Sequence, residues 1–130
     1  MVTDKLTIVE ADGDVPSTVA RIEQALHDRG ITLFARIDHA AGARAVGLEL
    51  PDEVVLVFGN AAAGTPLMQA DPRVGIDLPL RMLVWSRDGR TAVGYRDPRG
   101  LDIDPAPASV RAVLDTMHGL LEQLAREATA

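Results

Sequence analysis

Three short polar stretches of the chain contain the residue types that bind or react with small molecules. Asp38-His39 follows an apolar run, Gly59–Met68 is rich in glycine and capping residues, and Asp77–Arg81 carries one acid and one base. A carboxylate beside an imidazole is suited to general acid–base chemistry. Glycine-rich backbone and the start of a helix are suited to binding an anion.

Asp38 and His39 form the first candidate site, because an imidazole titrates near neutral pH and a carboxylate can orient it. Adjacent residues of an extended chain point to opposite sides, so we expect a distant partner for His39. Asp77, Asn60 or Thr65 would suit that role. The structural alternative is that Asp38 is the N-cap of a short helix and His39 lies in its first turn.

The Gly59–Met68 stretch is the second candidate. Thr65-Pro66 resembles an N-cap followed by the first helical residue, so the N–H groups after Thr65 are predicted to form an anion-binding helix start. A Walker A loop is excluded, because no Lys-Ser/Thr pair follows a glycine at the required spacing. A dinucleotide fingerprint is also excluded, since Gly59 and Gly64 are the only glycines in this stretch. The alternative is a well-capped connection between two strands.

Asp77 and Arg81 flank Leu78-Pro79 in the third stretch. Asp77 is expected either to cap a backbone turn or to line a pocket. Arg81 either binds an anion or is a solvated strand residue. The weak catalytic candidates are Asp38, His39 and Asp77. The candidate ligand-binding residues are Asp38, His39, Phe58, Gly59, Asn60, Gly64, Thr65, Met68, Asp77 and Arg81.

No metal site or cofactor is predicted. His27, His39 and His118 lie far apart in the sequence, and we expect His27 and His118 to face solvent from helices. The chain has no cysteine, which excludes thiolate ligands, disulfides and a cysteine nucleophile.

Composition narrows the class of protein. The net charge of −6, the aromatic content of 3% and the absence of basic runs argue against binding to nucleic acid or to an anionic membrane. There is no apolar run of about 18 residues and no signal-peptide pattern. We therefore expect a soluble cytoplasmic protein of one domain, residues 1–130, with no nucleic-acid or membrane partner.

Apolar periodicity indicates which elements position these residues. The predicted strands are 5–10, 31–37, 53–58, 80–86 and 91–96. The predicted helical segments run from Asp14 to Gly30, over 40–46, near 66–70, near 72–76 and over 109–128. Trp85 is expected to be a buried anchor in its strand. This order, β-α-β-β-β-β-α with short helical inserts, favours an α+β fold: a mixed or antiparallel sheet of about five strands with two longer helices packed on it.

Three ordered motifs resemble a bacterial family known as domain of unknown function 302. The motifs are Ile37-Asp38-His39-Ala40, Phe58-Gly59-Asn60 with Gly64-Thr65-Pro66-Leu67-Met68, and Asp77-Leu78-Pro79-Leu80-Arg81 with Val84-Trp85. This chain departs from the family pattern at Ala61 (proline in the family), Ile76 (leucine) and Arg81 (lysine). The resemblance implies an α+β domain, a homodimer and no established activity, and it supplies no catalytic residues.

These observations leave three functional hypotheses. The first is a dimeric module that binds a small anion or metabolite in a pocket formed by all three polar stretches. It requires the second, third and fourth strands to be neighbours. The second is a structural or protein-interaction module without a ligand site. The third is an enzyme that uses His39 with Asp38 or Asp77, and it requires a partly buried His39 that is hydrogen-bonded to a carboxylate.

Overall fold

The computed structural model of the protein describes residues 5–129. Its strands are β1 (Leu6–Ala11), β2 (Thr32–Asp38), β3 (Glu53–Gly59), β4 (Leu80–Arg87) and β5 (Arg90–Arg96). Its helices are α1 (Val15–Asp28), α2 (His39–Ala45), α3 (Ala61–Ala70) and α4 (Ala108–Ala128), with 3-10 helices at Pro72–Asp77 and Pro98–Gly100. The predicted α+β fold is confirmed.

The five strands form one sheet in the order β1-β5-β4-β3-β2, and every neighbouring pair is antiparallel. The predicted neighbours β2, β3 and β4 do lie side by side. Asp88 and Gly89 both have positive φ, 53° and 77°, and form the tight turn between β4 and β5. Turns of this kind match the right-handed twist of the strands, which explains why an Asp-Gly pair starts the hairpin.

The two longer helices, α1 and α4, pack on one face of the sheet. Strand β3 shows why, because its residues alternate between buried and partly exposed. The main core contains Val19, Ile22, Leu26, Leu56, Phe58, Met82, Val84, Val93, Leu121 and Leu124. None of the helices in residues 5–129 combines the length and the apolar character needed to cross a membrane.

Helix α3 differs from its prediction. It begins at Ala61, not after Thr65, and Asn60 is its N-cap, with the side-chain oxygen accepting a hydrogen bond of 2.8 Å from the Ala62 N–H. Pro66 therefore lies inside the helix rather than at its first position. Leu67 of α3 is fully buried in a second apolar cluster against α4. This burial stabilises the longer helix, although Thr65-Pro66 by itself favours a helix that starts at Pro66.

Trp85 is also placed differently. It alternates with the buried Met82 and Val84, so it lies on the sheet face opposite α1 and α4 and is only partly buried. There it covers Gly94, which pairs with Leu83 on the neighbouring strand.

Candidate ligand-binding cleft

A cleft of about 880 Å³ opens between α3 and the middle of α4. The start of β2 and the segment that leads into β4 complete its wall. The apolar lining includes Ile31, Phe34, Leu78, Pro79, Leu80, Val113, Met117 and Leu120. The predicted residues that line it are Gly59, Asn60, Gly64, Thr65 and Met68. Half of the ten candidate ligand-binding residues are therefore brought together here.

Glycines on α3 and α4 leave the cleft between the two helices open, because they have no side chains to fill it. Gly119 lies on α4, and a Cβ added there would have no atom within 4 Å. A Cβ at Gly64 would meet only Leu78 and Met68, at 3.7 and 3.9 Å. Glycine is unfavourable inside a helix, so these two residues do not contribute to helix stability. Their positions in the cleft wall instead leave space for a ligand.

Buried Asp71, the C-cap of α3, joins the end of that helix to the segment that precedes α4. Its side chain is 4% exposed and accepts hydrogen bonds from the Arg73 guanidinium, at 2.6 Å, and from the backbone N–H groups of Arg73 and Asp104, both at 3.1 Å. The Arg73 guanidinium, followed by the Asp104 N–H, holds the pKa of Asp71 well below its usual range. Asp71 is also the N-cap of the first 3-10 helix. The link to Asp104 has no sequence signal, since the two residues are distant in the chain.

Asp38 and His39 lie at the other end of the sheet. Asp38 pairs with Val54, whereas Gly59 is five residues further along β3, roughly 17 Å away at the usual rise of a strand. The prediction that one pocket contains all three polar stretches is therefore wrong. Antiparallel pairing is the reason, because it places the end of β2 beside the start of β3.

The local geometry of Asp38 agrees with the structural alternative. Its carboxylate accepts a hydrogen bond of 2.8 Å from the Ala41 N–H and caps α2. His39 is exposed in the first turn. Within residues 5–129, no carboxylate forms a hydrogen bond or ion pair with His39. The condition set for an enzyme based on His39 is thus not met.

Three further candidates lie outside the cleft. Phe58 is fully buried in the core, so its ring serves packing and is not open to a ligand. Arg81 alternates with buried Met82 and is exposed on the opposite face of the sheet, as the solvated-strand alternative predicted. Asp77 is exposed at the end of its 3-10 helix, next to Leu78 of the cleft wall.

His118 does not face solvent as predicted, although His27 does. Its side chain is 17% exposed, with Nδ1 3.4 Å from Asp97 Oδ1 and Nε2 3.4 Å from Glu122 Oε1. The Arg99 guanidinium, which binds the same carboxylate at 2.6 Å, lowers the pKa of Asp97. The contact between His118 and Asp97 joins α4 to the second 3-10 helix, although His118 Nδ1 forms no hydrogen bond within residues 5–129. Across residues 5–129, no group of three or more histidine or acidic residues is placed to hold a metal ion.

The chemistry of the cleft is mainly apolar. Arg29 is the one charged residue in its lining, and its guanidinium is engaged by Glu127 at 2.8 and 2.9 Å. Asn60 uses its oxygen on the Ala62 N–H, which leaves its amide NH₂ as a donor at the cleft. The contribution of α4 to the cleft was not predicted from the sequence. The apolar stripe of α4 includes Val113 and Leu120, which remain only partly buried. The stripe is thus wider than packing on the sheet requires, and this width is the sequence feature that indicates a cleft beside α4.

Curated proteins similar to this chain are longer than it. Over 97 residues the chain is 38% identical to "Fluoride-specific ion channel FluC 1" of Brucella suis, covering 74% of this chain and 38% of that protein. The protein of the same name from Brucella abortus is also 38% identical over 97 residues, which cover 36% of its length. The chain thus spans less than two fifths of these relatives.

A solved structure has the same fold. The crystal structure of an uncharacterized conserved DUF302 protein from Bacillus stearothermophilus matches with a TM-score of 0.82, covering 97% of this chain and 99% of that one, at 17% identity. The family model described as domain of unknown function DUF302 matches residues 7–124. Its match spans all three motifs noted in the sequence, and the chain accordingly belongs to the DUF302 family.

Proposed function

We propose that this protein is a binding module for a small molecule with a large apolar part, held in the cleft between α3 and α4. The observation that carries the proposal is the cleft itself. Its volume of about 880 Å³ lies within the range of ligand sites, and apolar walls with a few polar groups are typical of such sites.

The polar groups restrict the ligand further. The start of α3 reaches the cleft at Asn60 and Ala61, and a helix start carries a partial positive charge. The free NH₂ of Asn60 adds a hydrogen-bond donor at the same place. Arg29 is already paired with Glu127 and adds little for a free anion. We expect a ligand with an apolar body and one acceptor group, such as a carboxylate, near Asn60. A small hydrophilic anion such as phosphate would leave most of the apolar wall uncovered.

A dye with an apolar ring system and one anionic group, 1-anilinonaphthalene-8-sulfonate, tests the proposal by fluorescence titration. The blocking variant is Gly119→Leu, because Gly119 lines the cleft and a Cβ added there meets no atom within 4 Å. The matched control is Gly42→Leu in α2, another helical glycine with no atom within 4 Å of an added Cβ and outside the cleft. Both variants gain helix propensity, so a difference between them reports on the cleft.

We expect Gly119→Leu to weaken dye binding at least about tenfold, equivalent to about 1.4 kcal/mol, while Gly42→Leu binds like the wild type. Octanoate, as a candidate of the proposed class, should raise the melting temperature of the wild type and of Gly42→Leu only. At 100 times its dissociation constant a ligand adds about 2.7 kcal/mol of stability. Equal dye binding by all three proteins, or a response to inorganic phosphate but not to octanoate, would contradict the proposal.

A protein-interaction module is the second candidate function. It is supported by exposed apolar side chains after α2, where Val46 and Leu48 are 72% and 64% exposed. It is also supported by the Brucella relatives, in which a similar segment belongs to longer proteins named as fluoride-specific ion channels. If the dye does not bind the cleft, a loss of partner binding in Val46→Asp would be the next measurement. For either function we propose a cytoplasmic location, which suits a chain without cysteine.

A further inference from the structure

The cleft follows one side of α4 over several turns. Residues of α4 line it from Ala112 to Gln123, and intermediate lining residues occur in every turn between them. At the usual rise of a helix, this part of α4 is about 16 Å long. The cleft is therefore long enough to hold an extended chain of atoms that runs parallel to α4.

The start of α3 lies towards the C-terminal end of α4. Arg29, just after α1, binds Glu127 in the last turns of α4 at 2.8 and 2.9 Å. The chain then enters β2, where Thr32 pairs with Gly59 of β3. Gly59 directly precedes Asn60, the N-cap of α3. The connection through β2 and β3 thus places Asn60 at the end of the cleft that is next to Gln123.

The end of α3 lies towards the N-terminal end of α4. Leu67 packs in one apolar cluster with Val110 and Leu114. Met68, the next residue of α3, lines the cleft. The two helices therefore run antiparallel along the cleft, and Met68 lies at the end next to Ala112.

The polar groups of the cleft are distributed unevenly between these ends. Asn60 and Gln123 bring amide groups to one end, together with the partial positive charge of the α3 start. The Ala112 end is lined by alkyl and thioether side chains. Thr65 and Thr116 lie between the ends, and the Thr116 hydroxyl donates a hydrogen bond of 3.1 Å to the Ala112 carbonyl. A ligand with one polar head and one long tail fits this distribution.

We propose that the ligand is a free fatty acid with a single straight chain, an inference that rests on the proposed function. Its carboxylate lies near Asn60 and Gln123, and its tail follows α4 towards Ala112. A staggered saturated chain advances roughly 1.3 Å per carbon, given a bond length of about 1.5 Å. A cleft about 16 Å long therefore holds about twelve carbons.

Isothermal titration calorimetry with saturated acids of increasing length tests the limit set by the cleft. From octanoate to dodecanoate, each added methylene should tighten binding about threefold to fourfold, because it buries further apolar surface. Tetradecanoate should bind little more tightly than dodecanoate, because its last carbons extend beyond the cleft. Deoxycholate, a carboxylate with a rigid ring system, should bind more weakly than dodecanoate.

A variant at each end of the cleft tests the direction of the chain. Ala112→Phe shortens the cleft at the tail end, so it should weaken dodecanoate at least about tenfold and leave octanoate, roughly 10 Å long, unchanged. Gln123→Glu places a negative charge at the head end and should weaken both acids by the same factor. Ala41→Phe is the matched control on α2, exposed and outside the cleft, and it should change neither affinity.

The outcomes separate this inference from the proposed function. Equal affinity for octanoate and dodecanoate, or tighter binding of deoxycholate, would overturn the fatty-acid inference. An Ala112→Phe variant that weakens both acids equally would also overturn it. In each of these cases, dye binding that Gly119→Leu blocks would still support the cleft as a ligand site. A wild-type protein that binds neither the dye nor any of the acids would overturn both proposals.

Discussion

The contact between Trp85 and Gly94 on the open sheet face predicts that replacing Gly94 by alanine destabilises the protein, although alanine in a strand is normally more stable than glycine. A Cβ added at Gly94 would lie 2.9 Å from Cζ3 and 3.1 Å from Cη2 of the Trp85 ring, and 3.7 Å from Leu6 Cδ1. The first two distances are shorter than van der Waals contact. Gly94→Ala therefore forces the indole to move, although alanine is normally favoured over glycine in a strand.

The magnitude follows from these two opposing effects. Overpacking of a side chain costs roughly 1–3 kcal/mol, and the lower half applies here because Trp85 is partly exposed and can tilt outward. The conformational gain of glycine to alanine is about 0.5–1 kcal/mol. We expect Gly94→Ala to lower the free energy of unfolding by about 1 kcal/mol. In a Trp85→Leu background the clash is absent, so the same change should raise it by about 0.5 kcal/mol.

Urea unfolding followed by far-UV circular dichroism measures both values. The control is Gly42→Ala, since a Cβ at this helical glycine meets nothing within 4 Å and should add about 0.5–1 kcal/mol. The four proteins of the Gly94 and Trp85 cycle should show a coupling energy of about 1.5 kcal/mol. Gly94→Ala that stabilises the wild type, or a coupling near zero, would refute the close approach of the ring.

Two further stability predictions concern a residue inside α3 and the residue that caps its end. Pro66→Ala supplies an N–H for the Ala62 carbonyl inside α3, but it also makes the unfolded chain more flexible. The net result should be a free energy of unfolding about 1 kcal/mol higher, measured by urea unfolding. An unchanged or lower value would show that the proline ring is needed for packing. Asp71→Asn keeps one acceptor oxygen but removes the charge. It therefore tests how much the ionisation of Asp71 contributes to the pH dependence of the free energy of unfolding. The folded pKa of Asp71 is lowered, so its contribution to stability is complete above about pH 4 and is lost as the pH falls through the folded value. The urea midpoint of the wild type should therefore fall more steeply between about pH 4 and pH 2 than that of Asp71→Asn, and parallel curves would contradict this.

Much of the fold was predictable because its signals are local. Strand β3 is predictable from its continuous apolar run, which is rich in β-branched residues, and the Asp88-Gly89 pair predicts the hairpin from its backbone preference alone. The N-cap at Asp38 is predictable for the same reason, since a cap needs only a side-chain oxygen two or three residues before an N–H, and Asp14 and Asp71 cap their helices in the same way. The β4 and β5 strands follow from the β-like runs on either side of this turn.

The start of α3 was not predictable in this way. Asn60 and Thr65 are both good N-caps, and Pro66 favours the second. The structure uses Asn60, because a helix of ten residues places Leu67 fully inside the apolar cluster against α4. Burial of a leucine contributes about 1.5–3 kcal/mol, enough to outweigh a local preference of about 1 kcal/mol.

The candidate site shows the same division between local and distant effects. Residue types in the Gly59–Met68 stretch indicated a ligand loop, and this stretch does line the cleft. The capping role of Asp38 was also predictable from the sequence, because it depends only on neighbouring residues in the chain. Only the antiparallel pairing of β2 with β3 decided that His39 lies at the far end of the sheet from Gly59. Strand pairing is selected by the burial of whole faces among residues distant in the chain, and no short motif contains that information.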